Sequence, residues 1–268
     1  MTAELDPLAT GVGQRAVRVA FVGKGGAGKS AIAGTFARAL ARRGEPVLAV
    51  DSDPMPGLAY SLGLEVTDAA IPDDAVVEKA EGEPGPRFRL RQGLNPVDAV
   101  ERYAVTGPDG VRFLQFGKLR GHVAPLVRAQ FAFRQIVSEL PADRWSLVGD
   151  LAGGTRQAFM GWGGYARTFL VVVDPTAKSM LSARRLARLA QSGEASHDVV
   201  AVANRVREPG DVETVRRRTG LEVVAAVPWD ETFARAERLG RAPIDEAPEC
   251  PAVREVESWV ERLFEEDG

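Results

Sequence analysis

Apolar residues along this chain follow two rhythms in turn. Short runs rich in valine occur in VRVAFVG (17–23), EPVLAVDSD (45–53), WSLVGD (145–150), TFLVVVD (168–174), DVVAVANRV (198–206) and EVVAAVPWD (222–230). These read as strands, the first of them buried on both faces. Between them lie stretches of helical period: residues 29–43, AKSMLSARRLARLAQSG, GDVETVRRRTG and DETFARAERLG, with AVREVESWVERLFEE at the end. Strands alternating with helices predict an α/β fold, a doubly wound and mostly parallel sheet covered by helices on both faces. Residues 65–120 break the rhythm, being poor in long apolar runs and rich in Pro, Gly and charge. Within them RYAVTGPDGVRFLQF reads as a hairpin turning at GPDG. With too few apolar residues for a core of its own, this region is expected to be an elaboration. Residues 1–16 read as a loose lead-in, and 17–268 as a single domain.

Composition adds bounds. A chain of 268 residues, 45% apolar and 26% charged with a net charge of -3, suits a soluble globular protein. That balance gives no global pull toward nucleic acid or anionic lipid. No apolar run reaches the roughly 18 residues needed to span a bilayer. The first residues lack the basic and apolar regions of a secretory signal. A cytoplasmic protein without a membrane partner is therefore expected. Cys250 is the only cysteine, so one chain cannot form a disulfide, an iron–sulfur site or a cysteine-based zinc site.

Candidate chemistry concentrates in GKGGAGKS, residues 23–30, placed between a strand and a helix. Gly23, Lys24, Gly25, Gly26, Ala27 and Gly28 would turn backbone N–H groups inward around an anion, with Ala31 in the helical turn that follows. Lys29 would reach the β- and γ-phosphates of a nucleotide, and Ser30 would bind Mg²⁺. Asp51 and Asp53 end the second strand and Asp150 ends SLVGD, where strand C-termini open onto a ligand crevice. Asp150 is expected to hold Mg²⁺ through water. The N–H groups of Gly153 and Gly154 would sense a γ-phosphate. Guanine readers carry N-K-x-D, whereas ANRVRE has Asn204 and Arg205 followed by Arg207 at the aspartate position. ATP is therefore favoured over GTP, with Asn204 as a candidate contact to the base, Pro228 as its neighbour, and Arg205 as a further candidate nucleotide-binding residue.

Lys24 adds a further point. KGGAGKS followed by VLAVDSDPMPGLAYSLGL resembles the deviant phosphate-loop ATPases of the MinD/ParA class. The resemblance implies an ATP-dependent homodimer in which Lys24 crosses to the partner's phosphates. It also implies slow hydrolysis stimulated by the dimer or by a partner protein, with Asp53 orienting the attacking water and Asp51 supporting Mg²⁺. Lys24, Lys29 and Asp53 are thus the implied catalytic residues, and a cation supplied in trans acts only once the dimer assembles. Within the class, the order of DLAGGTRQAFMGWGGYA, LVVVDPTAKSMLSARRLARLA and VPWDETFARAERLGRAPID resembles the CooC family, accessory ATPases of carbon monoxide dehydrogenase maturation.

One departure bears on cargo. Nickel-handling members of that family carry G-C-x-C-P, and the equivalent stretch here is GHVAP, residues 121–125. His122 stands at the first cysteine position, and alone it makes a poor metal site. No metal cargo site is expected. An iron-protein-like electron donor would need two cysteines per chain. A septum-site ATPase would need a basic C-terminal helix, whereas EVESWVERLFEEDG is acidic and is expected to pack on the core. A partition-type ATPase binding DNA through ARRLARLAQ and VRRRTG, and an ATP-gated binding module with negligible hydrolysis, remain the alternatives.

Overall fold

The valine-rich runs lie side by side in one sheet. The computed structural model describes residues 16–53, 57–65, 71–115, 123–154, 161–192 and 197–265. The strands are β1 (Arg18–Gly23), β2 (Val47–Asp51), β3 (Val76–Glu78), β4 (Phe88–Leu90), β5 (Val105–Thr106), β6 (Arg112–Gln115), β7 (Ser146–Asp150), β8 (Thr168–Val173), β9 (Asp198–Val206) and β10 (Val223–Pro228). Eight of them form the sheet β10-β9-β8-β1-β7-β2-β6-β5, parallel throughout except for β5 on β6. The α/β class and the mostly parallel sheet are therefore as the pattern predicts.

Nine α-helices are seen among the described residues: α1 (Lys29–Arg42), α2 (Leu58–Ser61), α3 (Pro96–Tyr103), α4 (Val123–Glu139), α5 (Ala177–Ser192), α6 (Pro209–Thr219), α7 (Glu231–Arg238), α8 (Pro243–Glu246) and α9 (Pro251–Glu265). Alternate β1 residues serve two cores, as a strand's period of two requires. Ala20 and Val22 face the core built with α3, α4, α5 and α6. Val19 and Phe21 face the one built with α1, α2, α8 and α9. In the second core Phe21 meets Phe36 at 5.6 Å, and Phe36 meets Trp259 of α9 at 4.7 Å between ring centroids. The acidic final helix thus spends its apolar stripe on the core, burying Val256, Trp259, Val260 and Leu263. No helix among the described residues is long and apolar enough to cross a membrane.

The region of residues 65–120 is more integrated than its composition suggests. β3 and β4 do form a separate two-stranded ribbon. The predicted hairpin, in contrast, is the rim of the main sheet, because β6 pairs in parallel with β2 while β5 closes the edge. Phe113 and Leu114 are buried in opposite cores, so few apolar residues suffice when the core is shared. The turn forms at GPDG, with Asp109 in the left-handed region and Gly107 N–H donating to Val111 O at 2.8 Å. Arg38 of α1, only 2% exposed, locks this turn in place. It pairs with Asp109, donates twice to Asp245 of α8 at 2.9 Å, and donates to Leu62 O at 2.9 Å.

Helices α3 and α4 go beyond the segments that the apolar pattern singles out. The signal for α3 is local: Asn95 caps it by accepting from Asp98 N–H at 2.9 Å, and Pro96 opens it.

Candidate nucleotide site

Strand β1 ends at Gly23, and the chain turns through residues 24–28 into α1. At Gly28 only glycine fits. Its φ is +89°, and a Cβ there would stand 2.4 Å from Asn204 Nδ2. Asn204 is buried on β9 and donates to Ala27 O at 2.7 Å, while its Oδ1 accepts from Arg205 N–H at 2.9 Å. Arg205 is the extra residue of a bulge between β9 and β10, with φ +59°. From there its guanidinium donates to Gly26 O at 3.0 Å and approaches Asp174 at 3.4 Å. Asn204 and Arg205, both expected at the nucleotide, are thus engaged with backbone carbonyls of the loop itself. Pro228 ends β10 at the sheet edge, opposite Val206.

The two lysines of the loop part company. Lys29 is 8% exposed in the first turn of α1, whereas Lys24 is exposed, as are Gly25 and Gly26. Ala31 is fully buried beneath the loop. Gly153 packs across the opening: a Cβ there would lie 3.1 Å from Gly25 Cα and 3.7 Å from Lys29 Nζ. Gly154 N–H donates to Gly23 O at 3.2 Å, so the chain after β7 is pinned to the loop.

Asp51 and Asp150 are register partners on β2 and β7, both buried. Asp51 accepts from Asp53 N–H at 2.9 Å and Leu58 N–H at 3.1 Å, which ties down the chain on both sides of residues 54–56. Asp150 Oδ2 accepts from the Ser30 hydroxyl. Asp150 Oδ1 is buried with no hydrogen-bond partner among the described residues. Burial lifts Asp150 to about 6, against the pull of Ser30 and Lys29. Burial, followed by the charge of Asp150, pushes Asp51 well above the usual carboxylate range. An orphaned carboxylate oxygen beside a serine hydroxyl fits a hard cation. Asp53 is half-buried at the end of the same β2 turn.

Sequence reasoning missed Asp174. It follows β8, has one buried oxygen without a hydrogen-bond partner, and feels the charges of Arg205 and Lys24. The strand-end rule that picks out Asp150 applies equally to TFLVVVD. Tyr165 was also missed. It is buried under β7, where a Cβ on Gly149 would collide with its hydroxyl. His122 lies outside the described residues.

The family described as the CobQ/CobB/MinD/ParA nucleotide binding domain matches residues 19–244. The chain belongs to that family. Among relatives of this MinD/ParA-type chain, the uncharacterized ATP-binding protein MJ0823 of Methanocaldococcus jannaschii is 28% identical, covering 90% of this chain and 95% of its own length. The carbon monoxide dehydrogenase accessory protein CooC of Rhodospirillum rubrum is 26% identical, covering 87% and 92%. Among solved structures, a ParA family ATPase from Chlorobium tepidum superposes with a TM-score of 0.72 at 17% identity, covering 91% and 99%. The septum site-determining protein MinD of Pyrococcus horikoshii, complexed with Mg-ADP, gives 0.70 at 16%, covering 93% and 96%. These two share the fold.

Proposed function

We propose that this chain is a Mg·ATP-dependent switch: it pairs with a second copy across the loop face, hydrolyses ATP slowly and acts on a partner protein. The observation that carries this reading is the division between its two loop lysines, Lys29 buried against the site and Lys24 exposed. A lysine serving its own subunit's phosphates belongs inside, and one serving another subunit's belongs outside. In this reading the N–H groups of residues 25–30 bind phosphate at the start of α1. Lys29 holds the β- and γ-oxygens. Asp53 orients water, and Lys24 of one copy stabilises charge at the phosphates of the other.

Ser30 Oγ and Asp150 are the groups that would hold Mg²⁺, with Asp51 fixing the adjacent chain. When bound, the cation supplies positive charge beside the phosphate oxygens. Gly153 and Gly154 relay the state of the γ-phosphate to the segment after β7. The R. rubrum relative is named as an accessory protein of carbon monoxide dehydrogenase, and together with the family resemblance this makes a metalloenzyme under maturation the first partner class to try. With one cysteine per chain, thiolate-bound nickel is not part of the reading.

The test is the mass in solution of wild type and Lys29→Ala, with and without Mg·ATP. The reading expects ATP to pair wild type alone. If both stay equally monomeric, the switch is wrong. Phosphate release from the paired form separates an ATPase from a binding module.

A further inference from the structure

Helix α5 has two faces that do not match. Met180, Ala183, Leu186 and Ala187 are buried against the sheet and α6. On the outer face Lys178, Leu181, Arg184, Arg185, Arg188 and Leu189 form one exposed stripe. Leu181 is 50% and Leu189 40% exposed. None of these four cations has a carboxylate partner among the described residues, whereas several other surface arginines do, as Arg144 has Glu101 and Arg262 has Glu255. Helix α6 packs alongside and ends in exposed Arg217 and Arg218.

We propose that this face docks an acidic amphipathic helix of the partner protein. Charge complementarity sets the sign of the partner. The leucines set its class. Phosphate backbones reward arginines but gain nothing from two half-exposed leucines, whereas a helix with apolar residues in register covers them. Leu181 and Leu189 are eight residues apart, about 12 Å along the axis, so the partner offers two apolar residues at that spacing, flanked by Asp or Glu. The stripe is also tied to the nucleotide site. Asp174 N–H donates to Ser179 Oγ at 3.1 Å in the first turn of α5, and Asp174 lies beside Arg205 and within the field of Lys24. The proposal rests on the switch reading only for the partner's existence; the face itself is tested without nucleotide.

The experiment titrates the full chain, nucleotide-free, into three labelled probes. They are a 16-residue Glu-rich helical peptide with leucines at positions 4 and 12, the same composition scrambled, and a 30-base-pair random duplex DNA. The ordered peptide is expected to bind. Arg184→Glu/Arg185→Glu/Arg188→Glu should weaken it at least tenfold, and so should Leu181→Ser/Leu189→Ser, which leaves the charge unchanged. Circular dichroism confirms that both variants are folded. The proposal is overturned if the scrambled peptide binds equally, if the serine variant binds like wild type, or if only the duplex binds. ATP binding, measured separately, reports on the switch reading on its own.

Discussion

Asn204 Nδ2 donates to Ala27 O at 2.7 Å, joining the end of β9 to the inside of the phosphate loop across 177 residues of chain. Replacing Asn204 with alanine leaves that carbonyl without its donor and frees the loop at Gly28. Unpairing a buried carbonyl costs about 1–3 kcal/mol. Nucleotide affinity should therefore fall about tenfold or more while the fold persists. Gly28→Ala should abolish binding altogether, since it combines positive φ with a steric clash. Calorimetric titration with an ATP analogue checks both; an Asn204→Ala protein that binds normally would remove the buttressing role.

Lys24 and Lys29 should fail differently. Lys29→Ala should lose nucleotide binding itself. Lys24→Ala should bind ATP within a few-fold of wild type, yet lose about a hundredfold or more in turnover, the scale of removing one group that stabilises transition-state charge. Analogue binding and phosphate release, measured on the same samples, separate the two. Equal losses of binding in both variants would mean that the exposed lysine serves its own subunit.

The nucleotide-free protein should become less stable as pH rises from about 4 to 6. Burial raises the Asp150 pKa from 3.8 to about 6 in the folded state, so between those values the native chain binds the proton more tightly than the unfolded chain does. Stability then falls as pH rises through the window. Below it both states are protonated and no cost arises; above it the full cost, up to about 3 kcal/mol, is present. Asp51 is displaced in the same direction. Denaturant titrations across pH 4–7 should show the slope, and Asp150→Asn should flatten it. Adding Mg·ATP should flatten it too, because a cation favours the charged carboxylate, and chelating the metal should restore it.

Arg38 should matter for stability and not for nucleotide binding. Its guanidinium is buried while Asp109 and Asp245 keep 26% and 43% of their surface, so the carboxylates left behind can partly hydrate. Arg38→Met is expected to cost about 2 kcal/mol, below the 3–5 kcal/mol of a fully buried pair. Adding Asp109→Asn and Asp245→Asn should recover part of that loss. Melting temperature and ATP affinity, read together, check the separation.

The sheet and the loop were legible because their signals are local: valine runs, a glycine-rich turn, a lysine and a serine at fixed spacing. The role of Asn204 was not. Nothing in ANRVRE tells that its amide is spent on Ala27, since that contact depends on β9 lying two strands from β1. Asp150 was readable as the end of a strand, but its orphaned oxygen exists only because β2 and β7 pair with Asp51 and Asp150 in register. The place of β6 was legible only in part: the hairpin arm stood out in RYAVTGPDGVRFLQF, but its parallel pairing with β2 and the core it shares with the helices depend on distant chain.

The paired carboxylates of β2 and β7 also bear on the lifetime of the chain. Holding Asp51 and Asp150 side by side in a dry sheet makes the empty form the more fragile one, and any occupant that neutralises them adds to the free energy of opening. Where proteases act on transiently opened molecules, degradation follows that free energy. Occupied copies should then outlast idle ones under the same protease.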